Sequence, residues 1–342
     1  MRRNVKICLI MILFIILVGG IYYSNNYTSL RTPAEETDEY NKRIEGIKIT
    51  AIGGSTMEEN GNTNSMGYVI RTRNDKLVLV DGGHAIDSNF VLKYINEFGN
   101  GKIDYWFLTH GHEDHVGAFV KLINEENIEV ENVCYSLLSD EWYEANDKRG
   151  YESEHALIEA LNTNKEKIHN QIQCEENQQI DIDNIRVDII RIANPEITNA
   201  DNGNEASMTF KLTATDVDKS ILFLGDSGTK ASVELLERKD KLKSFAVQMA
   251  HHGQTGVTKE VYDAINPKLC IFNTPKWLYD NNGGEGFNTG KWQSITVRGW
   301  VEEYGADSIL TYEGDQTIRL TRDGYEKIDN DSQNSQRYED IV

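Results

Sequence analysis

The feature of this 342-residue sequence that most limits its possible folds is a dense histidine run, Leu108-Thr-His-Gly-His-Glu-Asp-His115. Three of the eight histidines in the chain lie within these few residues, directly after the apolar segment Ile103–Leu108. A short apolar segment of this kind is typical of a buried strand, so the run occupies the loop at a strand end. A polar loop with chance histidines would rarely combine these features. The pattern therefore predicts a metal site.

The spacing within the run predicts how its side chains share metal ions. His110 and His112 are two residues apart on a tight turn and can point at one ion, and Gly111 lets the backbone bend between them. Asp114 and His115 lie further round the turn and can face a second ion nearby. Imidazoles combined with a carboxylate suit zinc, manganese or iron better than calcium.

Three other apolar segments end in groups that can bind or support a metal ion. Asp81 ends one of them and is followed by two glycines, and Asp226 follows another directly after a glycine. His251 and His252 end the third and precede Gly253. Each of these patterns is common on its own, but together with the histidine run they place metal-binding groups at four strand ends.

The four segments, in this order, resemble the motifs of the metallo-β-lactamase superfamily over about Ile47 to Leu320. The resemblance implies an α/β fold, the four-layer αββα sandwich, with two divalent ions, Zn²⁺ or Mn²⁺. The implied metal ligands are His110, His112, Asp114, His115, Asp226 and His252. It further implies that Asp226 bridges both ions and that Asp81 supports the histidine run from behind.

A finer resemblance involves the segment Asn204-Glu-Ala-Ser207, which precedes Asp226. It is similar to the hydrolase domain of ComEC-type DNA-internalisation proteins and to phosphorylcholine esterases that act on teichoic acid. In both, such a segment replaces the histidine that usually completes the first ion site, so Asn204 and Ser207 are expected to support the centre. We place His169 in a polar helical stretch rather than among the ligands. The many membrane helices of a DNA channel are absent from the sequence.

The two adjacent histidines near Gly253 have different expected roles. His252 matches the family's ligand better. His251 is then expected to face the substrate, either as a hydrogen-bond donor to a phosphate or as general acid to the leaving oxygen. The opposite assignment stays open on the sequence alone. The resemblance implies attack by an activated water, with Asp114, Asp226 and His251 as catalytic residues.

The N-terminus predicts a membrane segment. Arg2, Arg3 and Lys6 precede seventeen uncharged residues, Ile7–Tyr23, which is the short limit for a transmembrane helix. The basic flank should stay in the cytoplasm, so the rest of the chain is expected outside it, as a single-pass membrane protein. The alternative is a cleaved signal peptide, which would make the protein secreted, although no clear cleavage site follows.

The remaining sequence predicts one domain. We assign residues 1–23 to the signal anchor, 24–45 to a linker, 46–322 to the hydrolase domain and 323–342 to an acidic flexible tail. Within the domain, short β-rich segments alternate with helical periodicity, as expected of a layered α/β architecture. Cys134, Cys174 and Cys270 show neither a disulfide framework nor a zinc-finger spacing.

Charge limits the possible substrates. The formal net charge of -20 argues against an extended nucleic-acid-binding surface, but not against a short strand bound at metal ions. We expect a small phosphodiester, a short nucleic acid or a phosphocholine-type ester. Trp277, Tyr279 and Trp292 in the later loops could form an aromatic wall for a choline-like cation. No protein partner is evident. The alternatives are a lactamase or other amide or ester hydrolase of this fold, and a non-catalytic metal-binding surface module.

Overall fold

The computed structural model describes residues 45–57, 63–197 and 202–328. The predicted membrane segment lies outside these ranges, as does nearly all of the predicted linker. Within the described ranges, no helix is long and apolar enough to cross a bilayer. The compact unit that carries the predicted domain starts at Gly46.

Two sheets form the centre of this unit. Their strands within the described residues are β1 (Lys48–Ala51), β2 (Gly67–Arg71), β3 (Leu77–Asp81), β4 (Lys102–Leu108), β5 (Glu129–Tyr135), β6 (Ile168–Gln173), β7 (Gln179–Ile182), β8 (Ile185–Arg191), β9 (Thr209–Ala214), β10 (Lys219–Phe223), β11 (Ala246–Gln248), β12 (Leu269–Phe272), β13 (Asp307–Leu310), β14 (Gln316–Thr321) and β15 (Gly324–Ile328). The first sheet has the order β15-β14-β1-β2-β3-β4-β5-β6, and the second has the order β13-β12-β11-β10-β9-β8-β7. Strands β3 to β6 are parallel, as are β10 to β13, and the other pairs are antiparallel.

Helices cover the outer face of each sheet. The α-helices of the described residues are α1 (Ser88–Tyr94), α2 (Glu113–Glu125), α3 (Asp140–Asn146), α4 (Tyr151–Thr163), α5 (Asn202–Glu205), α6 (Thr229–Glu237), α7 (Lys239–Leu242), α8 (Lys259–Ile265), α9 (Lys276–Tyr279) and α10 (Ser294–Tyr304). One apolar core lies between the sheets, where Phe107, Phe210 and Phe223 stack with ring centroids about 5 Å apart. Two further cores join the first sheet to α1, α2 and α4, and the second sheet to α6, α8 and α10. The predicted αββα layering is therefore present.

Two local predictions were wrong. Residues 324–328 form β15, paired antiparallel with β14, so the predicted tail from residue 323 starts too early. His169 lies in the edge strand β6 rather than in a helix, and its Nδ1 is 2.8 Å from Glu131 Oε2. In both segments, polar side chains on the exposed face hide the strand alternation.

The parallel pairs determine where the chemistry lies. β3 and β4 run parallel in the first sheet, and β10 and β11 run parallel in the second. Their carboxyl ends therefore carry Asp81, the histidine run, Asp226 and the two adjacent histidines. All four groups leave the ends of buried strands, as the sequence predicted.

Candidate metal centre

Four side chains from three loops converge at these strand ends. Asp114, His115, Asp226 and His252, called the primary group below, offer ligand atoms that all lie within 4.8 Å of one another. His115 Nε2 is 3.1 Å from Asp226 Oδ1. His252 Nε2 is 3.1 Å from Asp114 Oδ2 and 3.4 Å from Asp226 Oδ2. Residues separated by more than a hundred positions thus share one small space.

The imidazoles of the primary group are held in one tautomer. His252 Nδ1 is 2.8 Å from the carbonyl oxygen of Asn273, which can only accept, so Nδ1 carries the hydrogen. His115 Nδ1 is likewise 2.7 Å from Asp81 Oδ2. Each ring therefore turns its Nε2 lone pair toward carboxylates, where only a cation or an added proton makes the contact favourable.

These contacts shift the pKa values of the primary group. Burial opposes a charge on His115, but Asp226 and Asp81 outweigh it and hold the pKa of this imidazole well above its ordinary value. The pKa of His252 rises to about 9 against the same burial penalty, because Asp226 and Asp114 face it. Burial also opposes ionisation of Asp226, yet His252 and His115 hold the pKa of its carboxyl well below the usual range. Without a metal, protons on the imidazoles take the place of a cation.

The donor set fits a divalent metal ion. Within the described residues, His110 Nε2, His115 Nε2 and Asp226 Oδ1 are buried and make no hydrogen bond. The short contact between the last two atoms lacks hydrogen-bond geometry, which is expected when both lone pairs point at a common cation. Imidazole nitrogens and carboxylate oxygens are the ligands of zinc and of manganese or iron. Unpaired buried polar atoms of this kind are costly unless a ligand satisfies them.

Asp81 orients the histidine run from behind. Its carboxylate accepts hydrogen bonds from Thr109 N at 2.8 Å, from Thr109 Oγ1 at 2.7 Å and from His115 Nδ1 at 2.7 Å. The contacts place Asp81 in the supporting position that the sequence predicted. The residue has a φ of 48°, and His251 and His252 have φ values of 50° and 59°. Left-handed backbone at non-glycine residues is strained and clusters at functional sites.

Ser207 and Asn204 lie on the other side of the centre. Asp226 N donates to Ser207 Oγ at 3.0 Å, which fixes the backbone that carries the aspartate. Asn204 Nδ2 is 3.4 Å from His251 Nε2. Both residues thus contact predicted site residues, as the Asn-x-x-Ser pattern suggested.

His251 and His252 differ in position despite being neighbours. His252 is 1% exposed at its side chain and belongs to the primary group, whereas His251 is 21% exposed. His251 Nδ1 lies 2.7 Å from the carbonyl oxygen of Thr255, so Nδ1 carries the hydrogen. Its Nε2, which contacts Asn204 Nδ2, is 3.8 Å from Asp226 Oδ2. The geometry favours His252 as ligand and leaves His251 at the edge of the cleft.

The first two histidines of the run do not join the primary group. The His110 ring is buried, with its centroid 4.1 Å from that of His115 and 4.7 Å from that of His112. Burial and these two imidazoles hold the pKa of His110 well below its ordinary value. His112 turns away, and its Nε2 lies 2.8 Å from Asp147 Oδ2. His112 and Asp226 were expected to bind the same metal ion, but the structure places them in different groups.

His112 belongs instead to a second group with Asp147 and Glu154. Its Nε2 is 4.0 Å from Glu154 Oε1, and the Glu154 side chain is fully buried. Burial, followed by the neighbouring Asp147, raises the pKa of Glu154 to about 9. The sequence offered no signal for Asp147 or Glu154, because both lie in a polar, charge-rich stretch without a motif.

An open cleft of about 520 Å³ adjoins both groups. Its wall includes His251 and Trp292, which the sequence predicted, and Arg149 and Lys291, which it did not. Of the predicted aromatic wall, Trp292 therefore lines the cleft. Trp277 packs against Trp292 with ring centroids 4.8 Å apart and the rings tilted by 59°.

Tyr279, the third predicted wall residue, packs away from the cleft. Its ring meets Phe272 edge to face at 5.4 Å, and the Arg298 guanidinium lies 4.2 Å above it. Trp292 therefore is the aromatic side chain that lines the described cleft.

Known proteins match both the sequence around the histidine run and the fold. The model of the metallo-beta-lactamase superfamily matches residues 61–153. CmlA, a diiron beta-hydroxylase from Streptomyces venezuelae, is 13% identical with a TM-score of 0.51, and the match covers 81% of this chain and 54% of CmlA. Unliganded yeast PDE1 is 12% identical with a TM-score of 0.50, covering 81% of this chain and all of PDE1. The metallo-beta-lactamase fold protein YhfI from Bacillus subtilis is 12% identical with a TM-score of 0.47, covering 78% and 96%. No curated protein matches the chain significantly in sequence.

These matches support the metallo-β-lactamase superfamily. The metallo-β-lactamase fold implies divalent metal ions, often two, and the described residues contain a His/Asp cluster that could hold one. The superfamily includes metal-dependent hydrolases, phosphodiesterases among them. Because CmlA is a hydroxylase on the same fold, the reaction must be argued from the side chains rather than from the fold.

Proposed function

We propose that the protein is a membrane-anchored, metal-dependent hydrolase that cleaves phosphodiesters outside the cytoplasm. The observation that carries this proposal is the primary group, in which His115 Nε2 and Asp226 Oδ1 face each other without a hydrogen-bond partner. His252 Nε2 faces Asp114 and Asp226 in the same small space. Burying these groups without a cation costs free energy, so their arrangement supports a bound metal ion.

The side chains divide into ligands and helpers. Asp114, His115, Asp226 and His252 would hold an ion, and His110 offers one further buried nitrogen. A divalent ion bound there lowers the pKa of water and stabilises charge that develops on a phosphoryl oxygen. The identity of the ion, Zn²⁺ or Mn²⁺, is part of the proposal.

His251 is the proposed general acid. Its Nδ1 hydrogen is fixed on Thr255 O, so a proton gained at Nε2 faces the cleft beside Asp226. That proton is in place to pass to the leaving oxygen as the ester bond breaks. An imidazole can both hold and release a proton, which suits this transfer.

The cleft wall offers cationic and aromatic contacts to a phosphodiester. Arg149 and Lys291 are its cations, and they lie in a wall that also holds the carboxylates of Glu113, Asp114, Asp147 and Asp226, whose charge a bound divalent ion would partly offset. Trp292 adds an aromatic face on which a base or a choline-like cation can stack. We therefore propose a small phosphodiester, a short single strand of nucleic acid or a phosphocholine ester as substrate, in line with the ComEC-type resemblance.

The proposed location rests on the uncharged segment Ile7–Tyr23 after a basic flank. Alkaline extraction of cell membranes tests it, because an anchored chain stays in the pellet. Release of the full-length chain into the supernatant would contradict anchoring.

Hydrolysis is tested with bis-p-nitrophenyl phosphate and, in parallel, a chromogenic lactam, using the full-length protein reloaded with Mn²⁺ or Zn²⁺ after chelation. We expect metal-dependent activity on the phosphodiester and none on the lactam. Asp226→Ala should abolish that activity while circular dichroism shows a folded protein, because the variant removes the carboxylate that contacts both imidazoles. Asp240→Ala, an exposed change on α7, is the control and should behave as the parent. Full activity of Asp226→Ala would remove this residue from the mechanism, and lactam cleavage alone would overturn the phosphodiester proposal.

A further inference from the structure

The second group, His112, Asp147 and Glu154, has the make-up of a metal site of its own. Its three ligand atoms all lie within 4.8 Å of one another. His112 precedes α2, Asp147 follows α3, and Glu154 lies in the first turn of α4. None of the relatives' motifs named above includes Asp147 or Glu154.

Glu154 is the observation that points to a ligand. Its side chain is fully buried, and within the described residues neither Oε1 nor Oε2 accepts a hydrogen bond. The titratable groups near it are the Asp147 carboxylate, the His112 imidazole and the Tyr143 hydroxyl. A buried carboxyl group beside another carboxylate needs a cation or a proton between them.

Asp147 is already oriented for such a cation. Its Oδ1 accepts from the backbone nitrogens of Arg149 and Gly150, each at 3.3 Å, and its Oδ2 accepts from Gly203 N at 2.9 Å. The same Oδ2 faces His112 Nε2 at 2.8 Å. Fixed carboxylate orientation of this kind is what a metal site requires.

Glycines keep the space between these atoms open. A Cβ on Gly203 would overlap His112 Nε2 and Asp147 Oδ2, and would lie 2.7 Å from Glu154 Oε1. A Cβ on Gly150 would also collide with the His112 ring and would lie 2.9 Å from Asp147 Oδ2. Both positions lack room for any side chain, although neither glycine has a left-handed φ.

We propose that His112, Asp147 and Glu154 bind a second divalent cation, beside the one proposed for the primary group. One imidazole with two carboxylates is an oxygen-rich set that suits Mn²⁺ better than a thiolate-preferring metal. The next two histidines along the chain are occupied elsewhere, since His155 lies 2.9 Å from Asp140 Oδ1 and His169 contacts Glu131. The binding site stands on its own geometry, and only its use in hydrolysis rests on the proposed function.

The test counts bound Mn²⁺ by elemental analysis and by electron paramagnetic resonance of the full-length protein after chelation and reloading. We expect Glu154→Gln to lose one ion per chain, because an amide removes the carboxylate without changing its volume. Gly203→Ala should lose the same ion by filling its space, which keeps the test valid if one variant fails to fold. The matched controls are Glu159→Gln, an exposed position on the same helix, and Gly299→Ala, a helical glycine with no atom near its Cβ position.

The Asp226→Ala background separates this inference from the proposed function. In that background the primary group is disabled, and we expect one remaining Mn²⁺, which disappears when Glu154→Gln is added. Unchanged Mn²⁺ content and affinity in both Glu154→Gln and Gly203→Ala would overturn the second site and assign a proton to Glu154. Mn²⁺ binding that depends on Glu154 in a protein without phosphodiesterase activity would uphold the site and refute the proposed function instead.

Discussion

The primary group and the second group place histidines and carboxylates in similar proximity but balance their charge differently. In the primary group two aspartates face the Nε2 atoms of two histidines. In the second group two carboxylates share His112 alone. The primary group can therefore offset its own negative charge with imidazole protons, and the second group cannot do so fully. A bound cation should matter more to the shape of the second group than to that of the primary group.

The two groups also differ in the contacts that hold their ligands in place. The imidazoles of the primary group are fixed from behind by Asp81 and by the carbonyl oxygen of Asn273. In the second group the fixed partner is a carboxylate, Asp147, held by three backbone nitrogens, whereas no donor to Glu154 is found among the described residues. The primary group is thus pre-organised at both of its imidazoles, and the second group at one of its two carboxylates.

The largest expected effect comes from matched isosteric changes in the two groups. Asp114→Asn should reduce phosphodiester hydrolysis by more than about a hundredfold, since it removes a carboxylate that faces His252 directly in the catalytic group. Asp147→Asn should cost about tenfold to a hundredfold, because it acts through the second ion. Initial rates at saturating Mn²⁺ measure both. An equal or larger loss in Asp147→Asn would break the comparison and make the second group the principal catalytic centre.

A smaller effect is expected at the residue that supports the primary group. Asp81→Asn should weaken metal affinity about tenfold to a hundredfold, because an amide cannot accept from both Thr109 and His115 as the carboxylate does. Isothermal titration with Mn²⁺ measures the change. Asp104→Asn is the control, since this neighbouring-strand aspartate pairs with Lys76 at the surface. Unaltered affinity in Asp81→Asn would mean that packing alone fixes the histidine run.

The sequence predicted the interior strands well and the sheet edges poorly. β6, β7 and β15 were not predicted, and each lies at the end of a sheet. An edge strand has a partner on one side and exposes much of its surface, so segments such as Ile168–Gln173 are rich in polar residues and lose the apolar alternation. The interior strand β3 is buried throughout, and β4 and β10 are buried over their last three residues, so each contains a continuous apolar segment that is visible in the sequence.

The site residues that the sequence predicted and those that it missed differ in a similar way. Ligands at the ends of buried strands, such as Asp226 and His252, were predicted because the strand itself is recognisable in the sequence. Asp147 and Glu154 lie on short helices between β5 and β6, where neither position nor spacing marks them. Only the folded chain brings them to His112, a separation of 35 residues or more. Contacts of this kind require tertiary structure to be seen.

The smallest effect concerns a charge pair outside both groups, which supplies a baseline for pH experiments on them. Arg238 donates two hydrogen bonds to Glu176, from Nε to Oε1 at 2.7 Å and from Nη2 to Oε2 at 2.6 Å. The hydrogen bond from Arg238 is the main reason that the pKa of Glu176 lies below its usual value. A depressed carboxyl pKa stabilises the fold above the ordinary pKa and loses this contribution as pH falls through the folded-state pKa.

Glu176→Gln should therefore lower the free energy of unfolding by about 0.5–1 kcal/mol at pH 7, a modest amount because the pair is partly exposed. The difference from the parent protein should shrink as the pH falls below the folded-state pKa. Urea denaturation of the chelated protein at several pH values measures it, with Glu175→Gln as the exposed neighbouring control. A difference that persists unchanged in acid would attribute the effect to packing rather than to charge. Any steeper pH dependence that disappears on adding Mn²⁺ then belongs to the primary or the second group and not to this pair.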